Sequence, residues 1–365
     1  MKIQSIDIFR YDLPLRDTLR IKDIEIDRRT GLLCRMTDEE GHSGWGEVAP
    51  LPGFSLEDIG TASTELLLLK KALTGANVPD SIESLSGGFE KWLGQRGPSP
   101  SVRCGMEMAV LNLIAENRGS SLAGLLSKNP VTDFRVNRLI TQSDEQAITQ
   151  IRDLASEGYQ SVKLKIGRGL LEDDITFIRT LFAVLPFGVA VRLDANRAWT
   201  TAEAERFAAG IVGSRIEYVE EPLQDNSEIP ALIRETALPV AVDETLRETS
   251  PEKFQLFDGL KAIVLKPTLM GGFEICRTLS QKANEAGVKV VISSSFETSV
   301  GLSALAHFVA SLGDRQTAHG LDTARLFAED VLPESIPVTA GRIHLDRLPP
   351  VADIDVSRLD EIESD

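Results

Sequence analysis

The sequence predicts an α/β protein: a barrel of parallel strands alternating with helices, carrying a smaller α+β domain. From about residue 134 short apolar segments alternate with amphipathic ones, the pattern of a parallel sheet with crossover helices. Eight such strand segments can be picked out, and eight units favour a closed barrel over an open sheet. The doubly wound alternative would carry a GxGxxG after its first strand, and none stands there.

Taken in order, residues 1 to about 60 form a twisted antiparallel sheet. Ile3 to Leu13 alternates, Arg29–Met36 and Ser43–Val48 supply further strands, and Asp38-Glu39-Glu40-Gly41 is a turn. Gly44-Trp45-Gly46-Glu47 and then Pro50-Leu51-Pro52-Gly53-Phe54-Ser55 end the sheet in a loop that is either a lid over a ligand or a loosely packed connector. A helix follows over Leu56–Thr74, with Ser55 as its cap and Glu57 and Asp58 in its first turn. After a break at Ser86-Gly87-Gly88, Ser101–Glu116 is helical, with Met106, Ala109, Val110 and Leu113 on its core face.

The barrel strands fall near Arg135–Ile140, Ser161–Ile166, Ala190–Ala195, Ile216–Glu220, Pro239–Asp243, Ala262–Lys266, Lys289–Ser293 and Thr317–Leu321. Helices between them include Asp144–Glu157, Leu171–Leu185, Thr201–Val212, Phe273–Glu285 and Val300–Leu312. The tail from about Leu326 has short strands around Ile343-His344-Leu345, returns to the N-terminal domain, and ends in an acidic run, Asp360 to Asp365, expected to fray. This gives three segments: 1–130, a capping domain with a covering loop near 44–55; 131–325, the barrel; and 326–365, returning to the cap.

Composition narrows the function. The net charge of −16 argues against nucleic acid and anionic membrane surfaces as partners. No apolar run approaches a membrane span and Met1-Lys2-Ile3-Gln4 lacks a signal-peptide core, so the expected location is cytoplasmic. Three scattered cysteines and four histidines show neither disulfide nor metal-ligand spacing. Oligomeric state is not legible.

The chemistry is written at the strand ends, where barrel active sites lie. In Ser161-Val162-Lys163-Leu164-Lys165-Ile166-Gly167 the apolar residues alternate with two lysines, so Lys163 and Lys165 share one face. Arg192, Asp194 and Asn196 share a face on the third strand, and the fourth, fifth and sixth end in Glu220, Asp243 and Lys266. Asp194 to Glu220 is 26 residues, and Glu220 to Asp243 and Asp243 to Lys266 are 23 each. One βα unit has about that length, so these groups should stand at equal height around one mouth. Three converging carboxylates repel unless a cation joins them, and all-oxygen ligands select Mg²⁺, with Mn²⁺ as a substitute. Lys165 and Lys266 would face each other there, and nearby positive charge and burial lower a lysine pKa enough for one to act as a base. The pattern indicates proton abstraction beside a carboxylate of a small-molecule substrate.

With those residues in place, the series Lys163-x-Lys165, Asp194-x-Asn196, Glu220, Asp243 and Lys266 resembles the muconate-lactonizing branch of the enolase superfamily, whose sites use a lysine or histidine base with Mg²⁺. The resemblance covers nearly the whole chain and implies a modified TIM-type (β/α)7β barrel with an α+β capping domain. Within the branch the chain is similar to the o-succinylbenzoate synthase family in its Gly44-Trp45-Gly46-Glu47 and Pro50–Ser55 segments, Arg192–Asn196, Ser293-Ser294-Ser295 and Gly320-Leu321-Asp322-Thr323. That likeness implies a lyase of menaquinone biosynthesis. Lys165 would be the base, Lys266 the opposing cation and Lys163 their support; Asp194, Glu220 and Asp243 would hold the metal. Leu51, Phe54, Arg192, Asn196, Ser293 and Gly320 would line the substrate site. N-acylamino acid racemase, dipeptide epimerase and muconate cycloisomerase use the same catalytic set and stay open. Dipeptide epimerases tend to carry Asp-x-Asp at the eighth strand, where Gly320-Leu321-Asp322 has one acid only.

Overall fold

Alternation in the first forty residues builds a long antiparallel hairpin. In the computed structural model, which describes residues 1–21, 24–94, 97–141, 145–248 and 253–363, β1 (Ile3–Ile21) pairs with β2 (Ile24–Asp38), and β2 pairs with β3 (Ser43–Val48). The strands run well past the expected Leu13 because inward alternation resumes at Leu15, Leu19 and Ile21 beyond a register shift after Pro14. On β3, a Cβ at Gly46 would stand 1.9 Å from the Gly105 carbonyl oxygen, so the glycines of Gly44-Trp45-Gly46 let the strand press directly on a helix backbone.

That helix is α3 (Pro100–Asn117), preceded by α1 (Ile59–Leu73) and α2 (Gly88–Leu93) and followed by α4 (Leu122–Leu126). The expected cap of α1 needs correction. Asp58, not Ser55, accepts the Thr61 N–H, while the Ser55 hydroxyl accepts the Leu51 N–H and closes the loop before the helix. Met106, Ala109, Val110 and Leu113 are fully buried, as expected, in a helix covered on nearly every side.

The first barrel strand is not one strand. It divides at Asn137 into β4 (Asp133–Val136) and β5 (Arg138–Ile140). After it come α5 (Glu145–Asp153), β6 (Ser161–Lys165), α6 (Leu171–Val184), β7 (Ala190–Asp194), α7 (Thr201–Gly210), β8 (Ile216–Glu220), α8 (Ile229–Thr236), β9 (Val240–Val242) and β10 (Leu260–Leu265). The chain continues through α9 (Pro267–Met270), α10 (Phe273–Glu285), β11 (Lys289–Ile292), α11 (Ser299–Leu312), β12 (Ala318–His319), β13 (Arg342–His344) and β14 (Asp360–Glu361). The start expected for α5, Asp144, lies outside the described residues.

Strands β5 to β11 form one parallel sheet in chain order. A Ser293–Gly320 bridge leads from its far edge to β12, and β12 pairs with β4, directly before β5. The result is a curled, TIM-like α/β barrel with an N-terminal cap. The tail serves both parts: β13 pairs with β4, and β14 pairs with Phe9 and Arg10 of β1. Asp360 and Glu361, expected to fray, are held at a sheet edge, whereas residues 364–365 lie outside the described set. No helix among the described residues is long and apolar enough to cross a membrane.

Candidate active site

A cavity of about 390 Å³ opens at the C-terminal ends of the barrel strands, beneath the loop that carries Leu51 and Phe54. The hairpin tip of β1 closes another side through Leu19, Arg20 and Ile21. Leu51 is buried, so this loop is packed over the barrel and is no loose connector.

Strand parity puts Lys163 and Lys165 into the cavity together. Lys163 donates to Glu220 at 2.7 Å and lies 2.9 Å from Asp194. Lys165 donates to Asp194 at 2.7 Å and to the Asn196 amide oxygen at 2.5 Å. Lys266, also on the wall, pairs with Asp243. The register fits this gathering, since Lys165 pairs with Asp194 across β6 and β7, and Asp194 with Glu220 across β7 and β8.

The three lysines differ electrostatically. Burial lowers the Lys165 pKa, the charges of Lys163 and Lys266 add to this, and Asp194 only partly offsets it. For Lys266, burial acts in the same sense and is the largest single cause, but Asp243, Glu220 and Glu244 together outweigh it, so its pKa is raised. Lys163, between two carboxylates, is held well above the usual lysine range against burial. Burial pushes Glu220 up to about 7, with Asp194 adding to the shift.

Asp194, Glu220 and Asp243 suit a hard divalent cation by donor type, and Glu220 Oε2 is buried without a hydrogen-bond partner. As they stand, each carboxylate is turned to a lysine, and no three acidic, histidine or cysteine side chains among the described residues surround one point. The residues fit the ion in donor chemistry, and they would converge on it only by turning away from the lysines.

Of the remaining expected residues, Asn196, Ser293, Gly320, Leu51 and Phe54 line the cavity. A Cβ on Gly320 would meet the Ser293 hydroxyl at 2.5 Å, so a side chain there would displace that hydroxyl where the two strands approach. Arg192 is a correction. It is 1% exposed and lies beneath the cavity, donating to Glu217 at 2.7 Å, to Asn137, and to the Ala318 carbonyl, with Tyr218 against its guanidinium. Lys163 stands at the same register on β6 and does line the cavity, so what removes Arg192 from the wall is the commitment of its guanidinium to Glu217, Asn137 and the Ala318 carbonyl.

Several contacts at the site were not anticipated. Two cations stand over the Phe54 ring: Lys266 Nζ is 5.5 Å and Arg247 5.6 Å from its centroid, and Arg247 also donates to the Phe54 carbonyl. Glu221 accepts the Asp243 and Thr245 N–H groups and so fixes the strand-five turn. Glu244 accepts from Asn196 and thereby orients the amide that faces Lys165. The doubled acids Glu220-Glu221 and Asp243-Glu244 were the available signal.

Two buried groups join cap to barrel. Arg29 donates to the Ala49 and Pro50 carbonyls at 2.6 and 2.7 Å and to Ser295 and Phe296 across the domain boundary. Glu47 accepts from the Tyr11 hydroxyl, from Thr298 N–H and Oγ1, and from Gly301 N–H at the start of α11. Asp322, on the cavity wall, receives the Tyr159 hydroxyl at 2.9 Å and is flanked by Arg138 and Arg325.

The Enolase C-terminal domain-like family model matches residues 146–349, and the MenC N-terminal domain model matches residues 3–113. The chain belongs to the enolase superfamily. Among curated superfamily relatives, the o-succinylbenzoate synthase of Salmonella dublin is 33% identical over 91% of this chain and 94% of its own length. Protein PHYLLO, chloroplastic, of Arabidopsis thaliana is 30% identical over 92% of this chain, which spans 22% of that longer protein. Solved superfamily structures share the fold: the L-Ala-D/L-Glu epimerase of Bacillus subtilis at TM-score 0.84, with 24% identity and all of both chains covered. The dipeptide epimerase of Enterococcus faecalis, complexed with Mg and L-Leu-L-Tyr, superposes at 0.82 with 21% identity over 96% of this chain and 98% of that one. This chain is thus a superfamily enzyme close to the o-succinylbenzoate synthases.

Proposed function

We propose that the chain is an o-succinylbenzoate synthase. It would carry out the Mg²⁺-dependent syn-dehydration of 2-succinyl-6-hydroxy-2,4-cyclohexadiene-1-carboxylate to 2-succinylbenzoate in menaquinone biosynthesis. The observation that carries the reading is the wall of the cavity, where Lys165 and Lys266 are cationic partners of buried carboxylates while Asp322 is already neutralised by Arg138 and Arg325. With a divalent cation on the three carboxylates, the lysines would be left to favour an anion in a protein of net charge −16. That polarity disfavours a substrate ammonium, and so speaks against dipeptide epimerisation.

In the proposed reaction Lys165 Nζ, its pKa lowered, takes the proton α to the ring carboxylate. Lys266 keeps its proton, because Asp243 stabilises the ammonium, and offsets the negative charge developing on the carboxylate from the other side. The Lys165 ammonium returns its proton to the departing hydroxide on the same face, water leaves, and the ring becomes aromatic. Lys163, by its adjacent positive charge, helps lower the Lys165 pKa and so favours the neutral amine that can take the proton. When bound, a divalent cation held by Asp194, Glu220 and Asp243 would supply Lewis-acid stabilisation of the substrate carboxylate. Leu51 and Phe54 exclude water above, and Asn196, Ser293 and Gly320 shape the substrate wall.

The same reading takes the barrel as (β/α)7β, and its division as 1–130, 131–325 and 326–365. The Ser293–Gly320 bridge and the β12–β4 pairing support the closure. The test is loss of cyclohexadiene absorbance with and without EDTA. Mg²⁺-dependent turnover is expected; none from a folded, Mg²⁺-loaded protein would refute the assignment and direct attention to N-succinyl amino acids.

A further inference from the structure

The cavity has a second cationic end that the proposed chemistry does not use. Arg20, near the tip of the cap hairpin, and Arg168, just past β6, both line it. Gly167 turns the chain there at φ +74°, with its N–H donated to Asp174 at 2.9 Å, and so aims Arg168 over the mouth. Arg168 donates to the Thr141 carbonyl at 3.1 Å, which fixes one corner of a guanidinium that has five N–H donors. Both guanidiniums belong to one cavity lining, and the charge of Arg20 adds to burial in lowering the Arg168 pKa. Apolar Leu19, Ile21, Ile166 and Ala198 line the same cavity.

We propose that Arg20 and Arg168 form an anion subsite that binds the distal carboxylate of a dianionic substrate whose reacting carboxylate lies at Lys165 and Lys266. Arg168 is three residues beyond Lys165, so their backbones stand at most about 10 Å apart, and less for the turn at Gly167. A substrate with one carboxylate on a ring and another at the end of a keto-acid arm suits two cationic poles in one partly apolar cavity. The planar guanidinium fork fits a carboxylate better than a lysine would. One arginine comes from the cap and the other from the barrel, so an anion held by both would bridge the two domains across the mouth. The proposal rests on the reading of the substrate as a dicarboxylate, and its test separates the two.

The test is calorimetric binding of 2-succinylbenzoate and of its succinyl-chain monoamide to the Mg²⁺-loaded protein, alongside turnover. Wild type is expected to bind the diacid at least about tenfold more tightly than the amide. R168Q, and to a lesser degree R20Q, should weaken the diacid to near the amide's affinity while leaving the amide unchanged. Equal wild-type affinity for the two ligands, equal weakening of both in the variants, or binding of neither would overturn the subsite. Turnover together with equal affinities would sink the subsite alone. Selective diacid binding without turnover would uphold the subsite and sink the reaction.

Discussion

Replacing Glu47 by alanine tests whether the cap and the barrel are held together by one buried carboxylate. Glu47 is fully buried and receives the Tyr11 hydroxyl at 2.6 Å, Thr298 N–H at 2.9 Å, Thr298 Oγ1 at 2.7 Å and Gly301 N–H at 2.8 Å. Truncation strands these donors, each costing about 1–3 kcal/mol if it stays dry. Relief of the carboxylate's own burial and entry of a water into the vacated polar site reduce the sum, leaving a net loss of about 3–5 kcal/mol. An unfolding entropy of about 2 cal/mol/K per residue makes this a fall in Tm of roughly 4–7 °C for a chain of 365 residues. The pH dependence carries a sign. Burial pushes Glu47 from 4.5 up to about 7, so the folded state holds a proton that the unfolded state has released between those values. Its contribution is therefore fullest below pH 4.5 and diminishes as pH rises to 7, and the gap between wild type and E47A should be wider at pH 5 than at pH 8. Differential scanning calorimetry at both pH values measures this. A Tm within 1 °C of wild type at pH 5, or a gap that widens with pH, would refute the reasoning.

Other outcomes follow from the site and its supports. Lys165→Ala and Lys266→Ala should each lose turnover by several orders of magnitude with an unchanged circular dichroism spectrum; near-normal rates in either would remove the two-lysine mechanism. Activity should rise with pH as Lys165 loses its proton, with the midpoint below the ordinary lysine value because its pKa is lowered, and a pH–rate profile reads that limb. Mg²⁺ should raise Tm in wild type and fail to do so in Asp243→Asn, followed by thermal shift with and without EDTA. Gly46→Ala should destabilise by roughly 1–3 kcal/mol or more, since its methyl would overlap the Gly105 carbonyl; unchanged urea unfolding would show that the strand and helix can separate freely.

The lysines and carboxylates of the site could be found in the sequence because two simple periods operate there. A period of two fixes which strand residues face inward, and the βα repeat fixes which strand ends share a height. Parity fixes the face but not a side chain's partners, which is why Arg192 was expected on the wall while its guanidinium is taken up by Glu217, Asn137 and the Ala318 carbonyl. The break at Asn137 was hidden because the segment 135–140 is continuous in composition while its pairing changes partner midway, from β12 to β6. Ser55 and Asp58 are equally good caps in isolation, and only the loop's own closure decides between them. Arg29 and Glu47 had no local signal at all, for their cross-domain partners stand 267 and 251 residues away along the chain.

The divided first strand constrains the order in which the molecule can be assembled. Asp133–Val136 takes its neighbours from Ala318–His319 and Arg342–His344, while Arg138–Ile140 pairs with Ser161–Lys165. During synthesis the parallel strands after Arg138 can add one to the next over short loops, but the strand just before them lacks both partners until most of the chain has been made. Loop-closure entropy makes such distant pairings late and slow. The N-terminal sheet likewise waits for Asp360–Glu361, which covers its edge at Phe9 and Arg10. Until Arg342–His344 and then Asp360–Glu361 leave the ribosome, these two strand edges stay open to other chains, so removing residues 342–361 should harm yield through aggregation before it harms the chemistry.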